Sequence, residues 1–383
     1  MDFELHNRTS IYFGMGKIAE LATLLGPDER ILLLYGGGSI RTNGVYDQVM
    51  SALSGRFVVE FGGVEANPEY ETILRARKRA QEENCTFVLG VGGGSVIDAS
   101  KFLATILSVD ADDPWEWLRG GNLPNRVVPN GAVLTMPATG SESNPVSVIS
   151  WRKHDLKVPF SFEKARPLFA ILDPSTMRSL NRRQLENGVV DAVSHVVEQY
   201  LTAGAEAPIQ IGYSEVLLET LFEWGPRVVE EDSDQARETL MWAANQALNG
   251  LIGSGIPQDW STHMIGHAIT ALYGIDHARS LSMVMPSVLR YKLDDKLPIM
   301  SRYARRVWGI EADDDREAAL LAIDRTENFF SRMGCPVSLS DANGKVIDPR
   351  AVIDHIERAG QFPLGERGDI RGPDVLRILE MAA

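Results

Sequence analysis

Short apolar runs that end at glycine or proline recur through the first half of the chain. They are followed by Gly36, Gly92, Pro137 and the pair Asp173-Pro174, and they occupy residues 31–35, 86–91, 132–135 and 168–172. Continuous apolar runs of this length are typical of strands that are buried on both faces of a parallel sheet. Residues 96–107, between the second and third runs, carry a helical pattern. The alternation predicts a Rossmann-like, doubly wound α/β domain.

The pattern changes after about Asp173, where long helical periodicities replace the strand-like runs. Without any convincing β alternation between them, they cover residues 183–202, 208–229, 234–251, 263–272, 313–333 and 349–359. A chain of 383 residues exceeds the usual size of one hydrophobic core. We therefore expect an α/β dinucleotide-binding domain over residues 1–177. An all-helical domain that binds a metal and carries the catalysis is expected over residues 178–383.

Acidic residues outnumber basic ones, with 52 Asp and Glu against 38 Lys and Arg, and the formal net charge is −14. This balance, without a basic run, argues against binding to nucleic acid or to anionic membranes. The N-terminus lacks the pattern of a signal peptide, and no apolar run reaches about 18 residues. Cys85 and Cys335 lie outside any CxxC spacing, as expected of thiols in a reducing compartment. We therefore expect a cytoplasmic protein.

A glycine triplet, Gly92 to Gly94, lies between a predicted strand and a predicted helix. Glycines at such a turn let backbone N–H groups approach a pyrophosphate, and the start of the helix adds partial positive charge. Ser95 and Asp98 also fit a Ser-x-x-acid helix cap, which explains the segment without any ligand. The triplet alone leaves both interpretations open, because the full GxGxxG pattern is absent.

A second glycine-rich loop, Gly36-Gly37-Gly38-Ser39, follows the first clear strand, where doubly wound folds hold one end of a nucleotide. Enzymes that prefer NAD usually carry an acidic residue here, but this loop has none before Asp47. Ser39, the glycine N–H groups and Arg41 are instead suited to a 2′-phosphate. The loop therefore favours NADP(H) over NAD(H). A third loop, residues 135–143, offers several hydroxyl groups, but alone it fits a polar surface loop equally well.

Histidines and one aspartate are spaced so that helices can bring them together. Asp191 and His195 are four residues apart, which puts a carboxylate and an imidazole on one helical face. His263 and His267 share a face in the same way, and His277 follows the turn at Gly274. Three imidazoles and a carboxylate suit Fe²⁺ or Zn²⁺.

Two features of these residues bear on whether they bind a metal and on which reaction they support. An isolated Asp–His pair is often a simple hydrogen bond, but Asp191 and His195 lie among valines, where burying titratable groups is costly unless they bind something. The zinc-peptidase motif HExxH is absent, because position 264 is methionine. The histidines therefore indicate a metal site, and the missing glutamate argues against hydrolysis.

The chain resembles the iron-containing (group III) alcohol dehydrogenase family, in particular its NADPH-dependent aldehyde reductase and butanol dehydrogenase branch. The resemblance covers nearly the whole length. It rests on Gly92–Ser95 with Asp98 and Lys101, the loop from Pro137 to Glu142, Asp173-Pro174, and the widely spaced Asp191, His195, His263 and His277. It implies a dehydroquinate synthase-like fold, with a Rossmann-like domain followed by helices. One departure is that the family's Thr-Thr-x-Gly-Thr-Gly-Ser-Glu loop reads Met-Pro-Ala-Thr-Gly-Ser-Glu over residues 136–142.

The resemblance also implies individual roles. It makes Asp191, His195, His263 and His277 the metal ligands, and it puts His267 beside the metal without ligating it, near the substrate. His267, or water that it holds, is then expected to relay the proton. It assigns the pyrophosphate to Gly93, Gly94 and Ser95, with Asp98 in the same motif, and the 2′-phosphate to Gly37, Gly38 and Ser39. The adenosine and ribose side falls to Thr135, Thr139 and Ser141, and the nicotinamide ribose to Lys157.

The implied reaction is hydride transfer between NADP(H) and a short- to medium-chain alcohol or aldehyde. The metal, Fe²⁺, Zn²⁺ or Mn²⁺, acts as a Lewis acid on the substrate oxygen. Five aromatic residues suit either the walls of an apolar pocket or the core: Trp115, Trp117, Trp151, Phe160 and Trp260. Members of the family are often dimers, and we expect a homodimer.

Three other functions are compatible with parts of this pattern. An NAD-dependent lyase of the dehydroquinate synthase type shares the fold, but that group typically uses a Glu and two His as ligands. A metallohydrolase does not need two glycine-rich loops, and a non-catalytic binding module does not need His267 beside a full ligand set. The sequence therefore favours the dehydrogenase, with the lyase as the alternative.

Overall fold

The computed structural model describes residues 2–111, 113–204, 206–342 and 344–383. These residues form two compact units, one of His6–Leu180 and one of Asn181–Ala383 with the described residues 2–5. The domain boundary predicted between residues 177 and 178 falls in a 3₁₀ turn, Pro174–Ser179. It stays a prediction, because compactness alone does not make either unit an independently folding domain.

A six-stranded parallel sheet forms the centre of the first unit. In chain order the strands are β1 Ser10–Phe13, β2 Arg30–Tyr35, β3 Phe57–Phe61, β4 Phe87–Gly93, β5 Asn130–Met136, β6 Val146–Trp151, β7 Leu156–Ser161 and β8 Phe169–Leu172. The sheet order is β1-β8-β5-β4-β2-β3, while β6 and β7 form a separate antiparallel hairpin. The four apolar runs predicted as strands are β2, β4, β5 and β8. The edge strands β1 and β3 are partly exposed and therefore lack a continuous apolar run.

Short helices flank this sheet: α1 Leu21–Leu24, α2 Ser39–Thr42, α3 Val45–Ala52, α4 Tyr70–Glu82, α5 Gly94–Ile106 and α6 Pro114–Arg119. The suggested Ser95 cap of α5 is wrong, because β4 continues to Gly93 and the helix begins at Gly94 without a side-chain cap. The Ser95 hydroxyl instead accepts a hydrogen bond from Asn67 N–H at 3.2 Å.

Nine α-helices form the described part of the second unit. They are α7 Arg182–Tyr200, α8 Pro208–Glu230, α9 Asp234–Ala247, α10 Ser261–Tyr273, α11 His277–Tyr291, α12 Leu293–Arg306, α13 Asp315–Arg332, α14 Pro349–Arg358 and α15 Gly372–Met381. The sequence pattern indicated all of these except α11, α12 and α15. Eleven of the 15 residues of α11 are buried. No described helix is long and apolar enough to cross a membrane.

The α/β-and-helix architecture confirms the predicted fold class. In addition to the α-helices, six 3₁₀ segments occur in the described residues: Lys17–Glu20, Ser141–Ser143, Arg152–His154, Glu163–Ala165, Pro174–Ser179 and Leu339–Asp341.

Four of the aromatic residues considered as pocket walls lie in the α/β unit, and three of them join one cluster. Trp115 is fully buried, with its ring centroid 5.1 Å from those of Tyr70, Trp151 and Phe160. Phe102 adds a further ring at 6.4 Å from Trp115. The cluster therefore belongs to the core of this unit. Trp260 lies in the helical unit, beside the histidines described next.

Candidate active site

Three imidazoles converge on a single carboxylate oxygen in the helical unit. Oδ1 of Asp191 lies 3.8 Å from Nε2 of His195, 3.9 Å from Nε2 of His263 and 3.7 Å from Nε2 of His277. The ligand atoms of Asp191, His195 and His263 all lie within 4.8 Å of one another. The structure thus brings together the four residues that the resemblance suggested as metal ligands.

Helix geometry and packing produce this convergence. Asp191 and His195 share one face of α7 through their i,i+4 spacing, and His263 lies in the first turn of α10. Helix α10 ends at Gly274, whose φ of 63° is the left-handed conformation that glycine favours. Asp276 then accepts hydrogen bonds from two residues of α7, Arg183 at 2.6 Å and Asn187 at 2.9 Å. These bonds hold His277, the first residue of α11, against the helix that carries Asp191.

Close approach of α10 and α11 depends on Gly266. A Cβ atom at this position would lie 2.7 Å from Leu281 Cδ2 and 3.1 Å from Ser280 Oγ, so a larger residue would push the two helices apart. Ser280 Oγ also donates to the backbone oxygen of Gly266 at 3.0 Å. The contact keeps His263 and His277 on facing helices within reach of one Asp191 oxygen.

The site fits a divalent cation. Asp191 is buried, and within the described residues its Oδ1 accepts no hydrogen bond. The three nitrogens are too far from it for hydrogen bonds, which join N and O at about 2.7–3.2 Å. Ligand atoms that lie about 2.1 Å from a tetrahedral ion are themselves about 3.4 Å apart, close to the separations found here. An ion among these atoms would satisfy a buried carboxylate oxygen to which no described residue donates.

Glu198 contacts the ring nitrogen of His263 that faces away from Asp191, and it was not predicted from the sequence. Its carboxylate contacts Nδ1 of His263 and accepts the backbone N–H groups of Thr262, at 2.7 Å, and of His263, at 3.4 Å. A carboxylate on Nδ1 fixes the tautomer and aims Nε2 at the metal position. Burial raises the pKa of Glu198 well above its usual value. Glu198 lies seven residues after Asp191 on α7, so helical spacing offered a signal that the sequence analysis did not use.

A buried ion-pair network adjoins Glu198. Lys296 Nζ donates to Asp259 Oδ2 at 2.5 Å and lies 3.1 Å from Glu366 Oε2, and all three side chains are almost fully buried. Asp259 accepts the backbone N–H of Ser261 at 2.8 Å, and Ser261 is the first residue of α10. The network thereby fixes the start of the helix that carries His263 and His267.

His267 and Trp260 border the four converging residues. The His267 ring is buried, and its centroid lies 4.8 Å from that of His277 and 6.0 Å from that of His263. The Trp260 ring lies 5.3 Å from the His263 ring and 6.3 Å from the His195 ring. Trp260 is half-buried, and its ring provides an apolar surface next to the site.

In the α/β unit, the glycines at the end of β4 and the start of α5 are needed for packing within the chain. A Cβ at Gly92 would lie 2.6 Å from Val96 Cγ2, and one at Gly94 would lie 2.5 Å from Thr139 Oγ1. The space at Gly93 is tight too, with Met136 Cβ at 3.2 Å. The triplet therefore brings the third loop, which contains Thr139, against the start of α5.

The glycines after β2 have a different environment. A Cβ at Gly37 or Gly38 would meet no described atom within 4 Å, and Gly38 has a φ of 102°. Ser39, the next residue, is exposed at the start of α2. This loop leaves open space beside its backbone, as a nucleotide phosphate requires.

The remaining predicted nucleotide residues lie around α5. Asp98 accepts hydrogen bonds from Ser141 Oγ at 2.5 Å and Val148 N–H at 2.9 Å, and burial raises the pKa of its carboxyl. Lys101 Nζ, 3.5 Å away, is fully buried, and burial lowers its pKa to about 8. The Asp98 carboxylate thus bonds to its own chain and ties α5 to β6 and to the third loop. Thr135, half-buried near the end of β5, precedes that loop.

Lys157 and Ser95 are linked through Asn67, another residue that the sequence analysis did not identify. Lys157 Nζ donates to Asn67 Oδ1 at 2.9 Å, while Asn67 N–H donates to Ser95 Oγ. Asn67 has a φ of 58°, a left-handed conformation that asparagine tolerates better than most residues. The hairpin residue Lys157 is therefore held next to the start of α5.

A parallel α/β unit with two glycine-rich loops, together with a helical unit that carries an aspartate and three histidines, defines a class of metal-dependent dehydrogenases. Comparison with known proteins agrees. Residues 8–174 match the family pattern described as iron-containing alcohol dehydrogenase, and residues 186–379 match the C-terminal pattern of the same family. The chain belongs to the iron-containing alcohol dehydrogenase family.

Similar proteins extend over the full length. The chain is 46% identical to the NADPH-dependent aldehyde reductase YqhD of Escherichia coli, covering 100% of this chain and 99% of that one. It is 36% identical to a probable NADH-dependent butanol dehydrogenase of Bacillus subtilis, with 99% of each chain covered. The crystal structure of NADH-dependent butanol dehydrogenase A from Thermotoga maritima matches with a TM-score of 0.95 at 34% identity, covering 100% and 98% of the chains.

These findings confirm the predicted reaction class. The chain is an oxidoreductase of the alcohol dehydrogenase and aldehyde reductase type, and the dehydroquinate synthase-type lyase does not fit this family. Some of the similar proteins are named as NADPH-dependent and others as NADH-dependent. Membership of the family therefore leaves the choice between the two cofactors open.

Proposed function

We propose that this protein reduces short- to medium-chain aldehydes with NADPH and oxidises the corresponding primary alcohols with NADP⁺. Asp191, His195, His263 and His277 hold the required divalent cation, Fe²⁺ or Zn²⁺. The observation that carries the proposal is the convergence of three Nε2 atoms on Asp191 Oδ1, a buried oxygen that accepts no hydrogen bond from the residues the structure describes.

When bound, the cation supplies a Lewis acid for the carbonyl oxygen and the nicotinamide supplies hydride. The chain's own residues prepare this chemistry. Glu198 keeps His263 in the tautomer that presents Nε2 to the site. His267 holds a proton on its ring for exchange between the substrate oxygen and solvent. Trp260 covers one side with an apolar surface, which favours a small alkyl chain over a charged substrate.

The nucleotide assignment combines space with polar groups. Gly37, Gly38 and Ser39 offer N–H groups and a hydroxyl beside open space, which suits a 2′-phosphate. Gly93, Gly94 and Ser95 lie at the start of α5, where backbone N–H groups favour the pyrophosphate. Thr135, Thr139 and Ser141 would line the adenosine and ribose side, and Lys157 the nicotinamide ribose. The NADPH dependence named for the Escherichia coli reductase supports the choice of cofactor.

The proposal is tested by following absorbance at 340 nm with butanal as substrate. NADPH and NADH are compared after chelation of metals and again after addition of Fe²⁺ or Zn²⁺. We expect oxidation that depends on the added metal and is faster with NADPH. Absence of oxidation with either cofactor and either metal would contradict the proposed function, whereas faster turnover with NADH would contradict only the cofactor assignment.

We also propose that the protein acts in the cytoplasm as a homodimer. Both cysteines are free thiols, and burial raises the pKa of Cys335 to about 12, which suits a structural rather than a reactive thiol. Light scattering of the purified protein measures the oligomeric state, and a monomer would contradict this part of the proposal.

A further inference from the structure

Four side chains form a hydrogen-bonded group beside the glycine-rich loop that follows β2; we call them the Arg41 cluster. Glu60 accepts hydrogen bonds from Arg41, from Tyr35 Oη at 3.2 Å and from Tyr46 Oη at 2.7 Å. Arg41 also donates from Nε and Nη2 to Tyr35 Oη, at 3.1 and 2.7 Å. Its guanidinium lies 4.2 Å from the centre of the Tyr46 ring. Arg41 is thus held by one carboxylate and two aromatic residues.

The sheet builds this cluster from segments that are distant in sequence. Strands β2 and β3 run parallel with Leu33 opposite Glu60, which brings Glu60 to the end of β2 where Tyr35 lies. The absence of a side chain at Gly62 leaves room for the Tyr35 ring, because a Cβ at Gly62 would lie 2.5 Å from the ring. Gly63 N–H donates to the Gly36 oxygen at 2.9 Å and fixes the chain after β3 to the glycine-rich loop.

The cluster supplies the acidic residue that the loop itself lacks. Arg41 follows Ser39 by two residues, and 45% of its side chain is exposed, so its charge is accessible to a ligand beside Gly37 and Gly38. Glu60, however, neutralises that charge. A 2′-phosphate that approaches Arg41 therefore meets a receptor with no net charge, and it is repelled by the Glu60 carboxylate.

We propose that Glu60 is a specificity-determining residue, which limits the preference for NADP(H) over NAD(H) by competing with the 2′-phosphate for Arg41. This inference rests on the proposed function. Loss of the Glu60 charge leaves the orientation of Arg41 intact, because Tyr35 accepts two hydrogen bonds from it and Tyr46 lies under it. Removing the carboxylate therefore removes repulsion without freeing the guanidinium, and affinity for a 2′-phosphate rises.

Two nucleotide fragments test this without any turnover. The variants Glu60→Gln and Arg41→Met and the double variant are compared with the wild type for binding of 2′,5′-ADP and of 5′-AMP by calorimetry. We expect Glu60→Gln to bind 2′,5′-ADP about three- to tenfold more tightly, while 5′-AMP changes less than about twofold. Arg41→Met binds 2′,5′-ADP about tenfold more weakly, and adding Glu60→Gln to it has little further effect.

A matched control is Glu20→Gln, which removes one charge from the half-exposed ion pair Lys17–Glu20 of the same unit. The proposal is overturned if Glu60→Gln leaves 2′,5′-ADP affinity unchanged, if it tightens 5′-AMP equally, or if Glu20→Gln has the same effect. Binding of the two fragments by the wild type distinguishes failure of this inference from failure of the proposed function. If it binds both fragments equally, the NADP(H) assignment fails together with this inference; if it prefers 2′,5′-ADP and Glu60→Gln changes nothing, only this inference fails.

Discussion

The two candidate binding regions are built in opposite ways. In the helical unit, one nitrogen of each of three imidazoles lies within about 4 Å of the buried Asp191 Oδ1, and Glu198 contacts the ring of His263. In the α/β unit, the loop after β2 presents exposed backbone at Gly37 and Gly38 with no described atom where a Cβ would point. A cation needs fixed side-chain donors, whereas a phosphate needs room and N–H groups. Substitutions in the helical region should therefore impair metal binding, whereas substitutions in the loop after β2 should impair nucleotide binding.

The largest expected effect comes from Asp191→Ala. It removes the one oxygen on which all three imidazoles converge, so we expect less than a tenth of the wild-type metal content. Turnover with butanal should fall about a thousandfold or more, since the Lewis acid contributes several kcal/mol. Metal is measured by mass spectrometry and turnover at 340 nm. Asp294→Ala, which removes an exposed carboxylate of the same unit, is the control and should leave both values unchanged. Normal metal content in Asp191→Ala would contradict the assignment.

His267→Ala separates proton transfer from metal binding. His267 lies beside the His277 ring, and we assign it the proton rather than the cation. We expect full metal content and a fall in turnover of about a hundredfold or more, as for loss of a general acid. His263→Ala, in the same helix, should lose the metal. The assignment is wrong if His267→Ala empties the site or retains full turnover.

Glu198 tests whether the support behind the ligands matters. Glu198→Ala removes the partner of His263 Nδ1, and we expect metal affinity to fall about ten- to a hundredfold. Glu198→Gln can still accept a hydrogen bond and should recover part of that loss. Affinity is measured by competition with a chelator, together with the unfolding temperature of the metal-free proteins. Equal metal affinity in both variants and the wild type would show that Glu198 does not contribute to metal binding.

A pair of glycine substitutions sharpens the comparison on the α/β side. Gly94→Ala brings a Cβ within 2.5 Å of Thr139 Oγ1, and we expect the free energy of unfolding to fall by about 1–3 kcal/mol. Gly37→Ala meets nothing and should change it by less than about 0.5 kcal/mol, while the KM for NADPH rises. Urea denaturation and cofactor titration measure the two quantities. A larger loss of stability for Gly37→Ala than for Gly94→Ala would contradict this difference between the two loops.

The smallest effect concerns pH and stability. Burial raises the pKa of Glu69 from 4.5 to about 7. Between these values the folded protein keeps a proton that the unfolded chain releases, so the free energy of unfolding falls as the pH rises. We expect a loss of about 1 kcal/mol from pH 4.5 to 7 after solvent screening.

Denaturant titrations at several pH values check this loss. Glu69→Gln should remove it from the pH profile, whereas Glu82→Gln, at an exposed ion pair, should not. Parallel profiles for the wild type and Glu69→Gln would contradict the role of Glu69.

The grouping of Asp191 with histidines was predictable because part of it shows in local spacing. The i,i+4 pair Asp191 and His195 already shares a helical face, and His263 and His267 repeat that spacing. Spacing along the chain does not determine which imidazoles approach Asp191, because that depends on how α7, α10 and α11 pack. Glu198 continued the same face of α7 but looked like one more polar residue.

The nucleotide region was predictable only in part. Glycine-rich loops after apolar strands are visible in the sequence, and so are the four inner strands. Edge strand β3 is partly exposed and lacks a continuous apolar run, so no sequence pattern indicated that Glu60 contacts Arg41. Side chains that meet through the register of a parallel sheet leave no local pattern. For the same reason Asn67 was not connected with Lys157.

The most direct test of the central claim is anomalous diffraction at the metal edge from crystals of the protein loaded with Zn²⁺ or Fe²⁺. We predict one strong peak per chain, bonded to Asp191 Oδ1 and to Nε2 of His195, His263 and His277. A peak at other residues, or none at these four in protein whose turnover depends on the added metal, would contradict the account.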